Sequence, residues 1–522
     1  PYTTLFRSGG IAWLSATTPS GFLPSEDQGY LYVDVQLPDA AALNRTEGVT
    51  AGLEDMLAEE AGVSDVITVN GYSMLNGGVS SNAALLIVVL DPWEARGAPG
   101  MTAEGVLGKL MARFQTVPSA SIIGFSPPPI AGLGNAAGAE MKVQQTGGGT
   151  PQDLTAAVGS LIWAANQRPE IGRAYSTFRA NVPQLFVDLD REKAKALGVD
   201  VGSVFDTLQA YLGAAYVNDF NSFGRVYRVM VQADAPYRDE AADIERLHVR
   251  SQSGAMVPLS TLVEVDTILG PTLLSRYNQF RAATVTAVPA PGYSTGQAIA
   301  AMQAVAGEAM PAGYAYEWTG IAAQELEAGN IVVLILGLAI LFAYLFLVAQ
   351  YESWTMPLAI LLSVTVALLG AYLAVRIAGT DVNLYTQIGM VMLVGLGAKN
   401  AILIVEFAME SRAQGRSIYA ACVEAAELRF RAVMMTALSF LLGVVPLLVA
   451  SGAGAASQNA IGIAVFGGMA AATTLGVLLV PVLYVALQAA REWAKGLYRG
   501  LDTPAETTPG DDPDLLPRGT AT

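Results

Sequence analysis

The sequence predicts a membrane bundle of five complete transmembrane α-helices attached to an α+β domain outside the membrane. Hydrophobic residues make up 52% of the 522 residues and charged residues only 14%, whereas an ordinary soluble domain has roughly 25% charged residues. Charged side chains are scattered through residues 26–327 but are rare in residues 331–490. The two parts of the chain are therefore expected to face different solvents.

Five segments are long and apolar enough to cross a membrane. A hydrocarbon core about 30 Å thick requires roughly 20 apolar residues in a helix. The predicted spans are residues 331–350, 357–376, 384–409, 432–451 and 459–490.

Basic residues predict the orientation of these spans. Those after the third and fifth spans are Arg412, Arg416, Arg429, Arg431, Arg491, Lys495 and Arg499. Because Lys and Arg are enriched in cytoplasmic loops, both regions are expected in the cytoplasm and residues 26–327 on the other side. The tail, residues 491–522, is predicted to be cytoplasmic and disordered.

The first residues of the chain differ in character from the rest. Residues 1–8 (PYTTLFRS) are polar, resemble the translation of a sequencing-adapter oligonucleotide, and are interpreted as an artefact. Residues 9–20 (GGIAWLSATTPS) are interpreted as the end of a further apolar helix. We therefore expect a fragment that begins inside a membrane span.

The outer region alternates strands and helices. Strands are predicted at residues 30–37, 63–69, 83–90 and 121–125, with helices at 41–60 and 102–117. This β-α-β-β-α-β order is typical of a ferredoxin-like unit, expected over residues 21–135. A second unit is predicted at residues 136–184 and 272–320, with residues 185–271 inserted between its halves. The alternative is a row of unrelated α+β domains.

Composition excludes several functional classes. A net charge of -16 argues against nucleic-acid binding, which needs clustered basic residues. Cys422 and His248 are the only cysteine and histidine, so neither a Cys-based nor a His-based metal site is expected. No phosphate-binding loop motif is present. We therefore expect no cofactor and no enzymatic activity, and an ion gradient as the source of energy.

Lys399 is the most informative residue of the apolar part. It lies near the middle of a predicted span, where a charged side chain costs roughly 2.5–3.5 kcal/mol and normally faces a partner or a water-filled path. Glu406 is the only acidic residue in the five spans, and two helical turns separate it from Lys399. The counter-ions are therefore expected on a segment outside this chain. The alternative is that Lys399 extends to the membrane interface.

Three further polar residues are candidates for a proton path. Arg429 and Thr436 are seven residues apart, which places them on one face of a helix. The alternatives are a positive anchor for Arg429 and, for Thr436, a hydrogen bond to the carbonyl of Ala432. Asn400, beside Lys399, either joins this path or bridges two helices.

A glycine-bearing loop is predicted at residues 70–81 (NGYSMLNGGVSS). Tyr72 and Met74 occupy alternate positions in it. Aromatic and methionine side chains suit varied apolar ligands, because their contacts are adaptable. The alternative is an ordinary loop.

Several long motifs resemble one known family. They are GFLPSEDQG (21–29), VDLDREKAKALGV (187–199), YVNDF (216–220), YESW (351–354), GLGAKNAILIVEFA (395–408) and GAGAASQNAIG (452–462). They are similar to the AcrB-type hydrophobe and amphiphile exporters of the resistance-nodulation-division family, from about residue 9 to residue 491. The resemblance implies a homotrimeric bacterial inner-membrane proton/drug antiporter that docks with a periplasmic adaptor and an outer-membrane channel.

The resemblance also implies roles for individual residues. Lys399 matches a lysine that pairs with two aspartates of the N-terminal half, and Arg429 and Thr436 match partners in the next helix. Residues 71–81 match a switch loop, with its glycines at Gly71, Gly77 and Gly78. The positions that match drug-binding residues are Tyr72, Met74, Ile67, Val69, Leu85, Ile123 and Phe125.

The sequence departs from the family at some of these positions. Phenylalanines of the family are replaced at Tyr72, Met74, Ile67 and Leu85, so the drug spectrum cannot be transferred. Ala432 stands where a proline often follows the arginine pair. The insertion, residues 185–271, matches half of a docking domain, whose implied role is funnel formation and trimer contact.

Two other functions remain open at this point. The first is a metal-ion exporter of the same superfamily, in which Met390, Met392, Met434 and Met435 relay a soft cation. Methionines at helical spacing more often serve packing. The second is an accessory protein for lipid or protein translocation, or a membrane-anchored binding module without transport.

Overall fold

The computed structural model describes residues 2–98, 100–130 and 132–501. It opens with helix α1 (Tyr2–Thr17). A first layered unit comes next, formed by β1 (Tyr30–Gln36), α2 (Leu43–Ala58), β2 (Val63–Ser73), β3 (Gly78–Leu90), α3 (Ala103–Phe114) and β4 (Ser121–Phe125). Its four strands form one antiparallel sheet in the order β2-β3-β1-β4.

Alternation along β1 explains how this sheet packs. Leu31, Val33 and Val35 are fully buried against α2 and α3, where Leu53 and Leu110 complete the core. Because successive strand residues point to opposite faces, the side chains between them face away from the helices. The sheet therefore has one helix-covered face and one helix-free face.

The chain then builds a second unit with a segment inserted into it. Its elements, in chain order, are β5 (Ala139–Gln145), α4 (Pro151–Ala165), β6 (Ile171–Tyr175), β7 (Val182–Leu189), α5 (Arg191–Ala196), α6 (Val201–Leu208), β8 (Ala215–Ser222), β9 (Arg225–Val231), α7 (Ala241–Arg246), β10 (His248–Arg250), β11 (Met256–Pro258), β12 (Val263–Gly270), β13 (Ser275–Tyr277), β14 (Phe280–Pro289), α8 (Thr295–Ala309) and β15 (Tyr314–Thr319).

Five of these strands form the second sheet. The order is β13-β14-β5-β15, and β6 also pairs with β14. Helices α4 and α8 cover one face, where Met141, Val143 and Val285 are fully buried. Both helices start at a capping box, at Thr150 and Ser294, which pairs backbone amides that the first turn leaves free.

The inserted segment enters and leaves through a two-stranded ladder. Strands β7 and β12 are antiparallel and pair Val182 with Gly270, so the segment begins slightly earlier than residue 185. Buried residues such as Val204 and Leu259 form its own small core. Sequence analysis did not predict β6 and β7.

The prediction of five long apolar helices is confirmed. The helical region comprises α9 (Gly320–Tyr351), α10 (Met356–Ala378), α11 (Leu384–Ala413), α12 (Ile418–Leu448), α13 (Ala455–Ala471) and α14 (Val477–Leu501), with a π-helical turn at Ala472–Gly476 between the last two. Helices α13 and α14 together provide the fifth apolar stretch.

Several predicted bounds require correction. Helix α9 begins at Gly320, directly after β15, because a positive φ at that glycine turns the chain into the helix. Helix α12 begins at Ile418 rather than at residue 432, because Ser417 accepts a hydrogen bond from the amide of Ala420 and caps it. Arg429 is therefore inside a helix.

The prediction that residues 491–522 are disordered is wrong for the first part of this segment. Helix α14 continues to Leu501, so residues 491–501 are helical. Arg412 of α11 forms a bidentate ion pair with Glu492, with N–O distances of 3.1 and 3.0 Å, and Gln488 also donates to Glu492. These contacts tie the end of α14 to the bundle. Residues 502–522 lie outside the described residues.

Small residues set the spacing of the central helices. A methyl group added to Gly370 of α10 would lie 2.6 Å from the carbonyl oxygen of Gly467 in α13. One added to Gly397 of α11 would lie 3.2 Å from the Cβ of Ala367 in α10. Such close backbone approach is the usual way in which membrane helices associate.

An ion pair joins the start of the first unit to the short 3-10 helix Trp93–Arg96, which follows β3. Arg96 donates two hydrogen bonds to Asp27, at 2.7 and 3.0 Å, and its side chain is only 2% exposed. Burial alone would raise the pKa of Asp27, but hydrogen bonds from Arg96 and from the amides of Gly29 and Ala103 lower it below its ordinary 3.8. The pair therefore stabilises the fold at pH values above the ordinary pKa of 3.8, and this contribution is lost as the pH falls through the lower pKa of Asp27 in the folded state.

We expect Arg96→Ala to lower the free energy of unfolding by about 3 kcal/mol at neutral pH, because the carboxylate of Asp27 loses its cation in a partly buried site. Thermal unfolding of the protein in detergent measures the change. Arg113→Ala is the matched control, since Arg113 pairs with Glu59 and Glu60 at the surface. Equal effects of the two substitutions would contradict this account.

Candidate functional site

Five of the predicted drug-binding residues lie on the helix-free face of the first sheet. The register pairs Val69 with Leu85, Leu85 with Asp34, and Asp34 with Ile123, which forms one row across four strands. We call this row the acidic row. The neighbouring row consists of Ile67, Ile87, Tyr32 and Phe125. The sheet therefore brings together side chains that are distant in sequence.

These side chains differ in exposure. Phe125 and Leu85 are buried, whereas Ile67 and Val69 are 53% and 40% exposed. The rings of Tyr32 and Phe125 are in contact, with 5.7 Å between their centroids. The face is thus an apolar surface whose side chains are exposed at β2 and buried at Leu85 and Phe125.

The predicted loop at residues 70–81 is mostly a β-hairpin, which corrects the sequence interpretation. Strand β2 continues to Ser73 and β3 starts at Gly78, leaving residues 74–77 as the turn. Gly71 adopts a φ of 86° where the register shifts, so a bulge allows pairing to continue. Of the three predicted loop glycines, Gly71 and Gly78 are in strands and Gly77 is in the turn.

The two proposed ligand residues of the hairpin have different positions. The hydroxyl of Ser73 reaches Asp34, so its neighbour Tyr72 points to the opposite face and does not join the two rows. Met74 lies in the turn, and its carbonyl accepts a hydrogen bond from Asn135 at 3.2 Å. We call residues 73–77 the hairpin tip.

Asp34 lies beneath the hairpin tip and was not identified from the sequence. Its side chain is 1% exposed and accepts hydrogen bonds from the hydroxyl of Ser73 at 2.8 Å and from the amide of Leu75 at 3.4 Å. Burial raises the pKa of Asp34 and outweighs these hydrogen bonds, which lower it. Strand alternation in YLYVDVQ is the signal that could have placed Asp34 on the face opposite Val33 and Val35, but it carries no information about what covers the side chain.

The second sheet faces the hairpin tip with a polar surface. A small cavity of about 30 Å³ separates Leu75 from Glu140, Lys142 and Tyr175. Lys142 pairs with Glu140 at 2.9 Å and donates to Thr284 at 2.8 Å. Burial raises the pKa of Tyr175 to about 12, so its hydroxyl stays protonated.

A larger cleft of about 1550 Å³ surrounds the edge strand β4. Ile123 and Phe125 line it together with Met111 of α3, while Tyr293 and Ile463 contribute from the second unit and from α13. This volume exceeds that of a typical small-molecule pocket, roughly 300–1000 Å³. The cleft therefore has room for a bulky ligand at the junction with the membrane helices.

Lys399 has no partner within the part of the chain that the structure describes. Its side chain is exposed on α11, and neither an ion pair nor a hydrogen bond joins it to Arg429, Thr436 or Glu406. Asn400 points to a different side of the helix, is 3% exposed, and its Nδ2 lacks a hydrogen-bond acceptor among the described residues. The structure does not bring the four predicted relay residues into direct contact.

Arg429 and Thr436 make contacts of their own. The guanidinium of Arg429 lies 3.4 Å from the centroid of the Phe407 ring of α11, and its buried Nε has no acceptor in the described residues. The hydroxyl of Thr436 donates to the carbonyl of Val433 at 3.1 Å, rather than to that of Ala432. Arg429 is therefore inserted against α11 instead of extending freely from the helix end.

A second residue that sequence reasoning missed links the first unit to the bundle. The carboxylate of Glu26 accepts hydrogen bonds from the amides of Ala456 and Ser457, at 3.2 and 2.8 Å, and from the hydroxyl of Ser457. These amides belong to the first turn of α13, where backbone donors need an external acceptor. Glu26 thus caps a membrane helix from outside the bundle.

The segment before Glu26 is also attached to the bundle. Val382 donates its amide to the carbonyl of Pro19 at 2.8 Å, and Leu384 donates to that of Phe22 at 2.9 Å. Residues 19–27 therefore connect three sites in succession, namely the α10–α11 turn, the start of α13 and the ion pair with Arg96.

Long apolar helices, several of which carry polar groups without a partner among the described residues, are the features of a multi-pass membrane protein. The sequence agrees, because residues 3–488 match the profile of the AcrB/AcrD/AcrF family. The chain belongs to this family of resistance-nodulation-division efflux transporters, which confirms the family predicted from the motifs.

Individual relatives are similar over nearly the whole chain. The multidrug/solvent efflux pump membrane transporter MepB of Pseudomonas putida is 40% identical over 480 residues, 92% of this chain and 45% of that protein. The antibiotic efflux pump membrane transporter ArpB of Pseudomonas putida has the same identity and coverage. The multidrug export protein AcrF of Escherichia coli (strain K12) is 37% identical over 486 residues, 92% of this chain and 46% of that protein. The chain thus spans about half the length of these relatives.

We expect Ser73→Ala to loosen the hairpin tip, because it removes both the hydroxyl donated to Asp34 and the oxygen that accepts the amide of Asn76 at 3.2 Å. Hydrogen exchange at Leu75 and Asn76 should accelerate about tenfold, the effect of one lost buried hydrogen bond. Ser80→Ala, at an exposed position of β3, is the control. Unchanged exchange in Ser73→Ala would show that Asp34 does not hold the tip.

Proposed function

We propose that the chain is the C-terminal half of a proton/drug antiporter that exports hydrophobic and amphiphilic compounds. The observation that carries this proposal is Lys399, a cation in an apolar helix with no counter-ion among the described residues. Such a group normally faces a partner or an ion path. The partner carboxylates would come from the N-terminal half of the same protein.

The unpaired atoms of the neighbouring residues support this arrangement. The Nδ2 of Asn400 and the Nε of Arg429 are buried without acceptors in the described chain, and a polar group in hydrocarbon needs an internal partner. A segment that supplies carboxylates to Lys399 would also be close enough to serve them. Protonation there would alter helix packing, with Lys399, Asn400, Arg429 and Thr436 as the relay.

The apolar face of the first sheet is the proposed ligand surface. Ile67, Val69, Leu85, Ile123 and Phe125 share that face. The hairpin tip, which contains Gly77, would act as the switch together with the flanking Gly71 and Gly78. Tyr72 and Met74 would contact ligands after the tip moves, since they do not line the two rows in this conformation.

The remaining architecture fits the same proposal. The first sheet has the strand order expected of a ferredoxin-like unit, and residues 182–270 would form the docking subdomain. We infer a homotrimer in the bacterial inner membrane, in contact with lipid, with the α+β region in the periplasm bound to an adaptor and an outer-membrane channel. The metal-export alternative receives no support, because Met390 is buried whereas Met392 and Met435 are 47% and 63% exposed.

Glu26 provides a route by which helix movement would reach the ligand surface. It caps α13, which packs against the Lys399 helix. The next residue, Asp27, is paired with Arg96 in the short 3-10 helix that follows β3. A displacement of α13 would therefore pull on the start of β1.

Lys399→Ala in the full-length protein should abolish drug export, because the relay loses its cation. Growth of pump-deficient cells on a drug gradient measures export, and immunoblotting confirms equal expression. Lys109→Ala, which removes an exposed lysine of α3, is the control. Normal export by Lys399→Ala would remove this residue from the relay.

Glu26→Ala should uncouple binding from export. Loss of the cap costs about 1 kcal/mol, so the protein should still fold and bind a fluorescent drug, while export falls at least severalfold. Glu94→Ala, at a nearby exposed position, serves as the control. Export at the wild-type rate would refute the coupling role of Glu26. Loss of both binding and export would show that Glu26 is needed for the folded structure rather than for coupling.

A further inference from the structure

Asp34 is a charged residue in the middle of an otherwise apolar row. It is paired directly with Leu85 on one side and Ile123 on the other, and side chains opposite each other in antiparallel strands lie on the same face, about 4.5–5.5 Å apart at Cβ. A ligand that lies on the acidic row would therefore contact Leu85 and Ile123 and reach the carboxylate of Asp34 between them.

The charge of Asp34 has no cation to balance it in the described residues. Ser73 and the amide of Leu75 donate hydrogen bonds to it, but these donors are neutral. The nearest wall of the second sheet carries Lys142, whose ammonium is already paired with Glu140 and hydrogen-bonded to Thr284. A buried carboxylate without a counter-ion interacts strongly with any cation that reaches it, because the local dielectric is low.

The hairpin tip covers Asp34 through Ser73 and Leu75. Three residues outside the tip make side-chain hydrogen bonds to it. Asn135 donates to the carbonyl of Met74, Gln36 donates to the hydroxyl of Ser73, and Asp34 accepts from Ser73 and from the amide of Leu75. Gly71 and Gly77 have positive φ values of 86° and 65°, and no atom lies within 4 Å of where a Cβ at Gly77 or Gly78 would be. The hairpin is thus unpacked around Gly77 and Gly78, and a displacement of the tip would take Ser73 and Leu75 away from the carboxylate.

We propose that Asp34 is a specificity-determining residue of the ligand surface, which favours amphiphilic ligands that carry a positive charge. The proposal rests on the proposed function of this surface and deepens it. The apolar part of such a ligand packs on Leu85 and Ile123 once the tip lifts, and its cationic group replaces Ser73 and Leu75 as the partner of Asp34. A neutral ligand gains only the apolar contacts.

Binding of two fluorescent dyes to the purified protein in detergent tests this. Rhodamine 6G is the cationic probe and Nile red the neutral one, each titrated by fluorescence polarisation. Asp34→Asn keeps the shape and removes the charge, and should weaken rhodamine 6G binding about tenfold, the order expected for one partly desolvated ion pair. Nile red binding should stay within twofold.

Two matched variants make the result specific. Asp34→Glu retains the charge and should preserve the preference for rhodamine 6G. Asp65→Asn removes the same net charge from an exposed position of β2 and should change the binding of neither dye.

Ser73→Ala frees the carboxylate of Asp34 without altering it and should leave rhodamine 6G binding equal or stronger. This variant tests the proposal even where Asp34→Asn fails to fold.

The outcomes separate this inference from the proposed function. One outcome is that the wild-type protein binds both dyes while Asp34→Asn weakens the binding of neither dye, or of both equally. In that case the specificity role of Asp34 is wrong, and the proposed ligand surface is unaffected. If the wild-type protein binds neither dye, the proposed ligand surface itself is wrong and the inference falls with it. Weaker rhodamine 6G binding in Ser73→Ala would also overturn the inference.

Discussion

The close approach of α10 and α13 at Gly370 and Gly467 is the constraint on which the rest of the structure depends. The backbones meet there without intervening side chains, since an added methyl group would lie 2.6 Å from a carbonyl oxygen. Helix α11 packs into the same core through Gly397, two residues before Lys399. A larger side chain at these positions would separate the helices and displace both Lys399 and the first turn of α13. The position of the cation and that of the helix capped by Glu26 therefore depend on two contacts of α10, one with α11 and one with α13.

Two adjacent carboxylates, those of Glu26 and Asp27, link the packed helices to the first unit. Glu26 binds backbone amides of α13, and Asp27 binds Arg96 and the amide of Ala103 at the start of α3. Because the two groups are separated by a single peptide unit, the helix and the sheet cannot move far apart unless one contact breaks. Both contacts are charge-assisted hydrogen bonds, which are stronger than neutral ones. The link is therefore short and polar, which suits a junction at the edge of a membrane.

The sequence predicted some of these features and not others, for physical reasons. Hydropathy alone predicted the five apolar helices, because burial in lipid is a local property of each segment. Strand alternation predicted β1 and β4, and the motifs identified Ile123 and Leu85, but the register that places Asp34 between them depends on contacts between distant strands. The hairpin at residues 70–81 was interpreted as a loop because its glycines are typical of turns, whereas Gly71 forms a bulge that prolongs the strand. Glu26 was part of a recognised motif, yet its partner lies some 430 residues away.

Several polar groups of the helical bundle have no partner among the described residues. The ammonium of Lys399 is exposed, and the buried Nδ2 of Asn400 and Nε of Arg429 lack acceptors in the described chain. Each such group would cost several kcal/mol in hydrocarbon. These three groups are donors, whereas Asn459 and Gln488 each leave a buried side-chain oxygen without a donor among the described residues. Donors of this kind are satisfied together by acidic side chains, whereas water alone would leave the cation without a counter-charge. The arrangement therefore supports carboxylates as the missing partners, and it explains why Arg429 meanwhile lies against the electron-rich face of the Phe407 ring in α11.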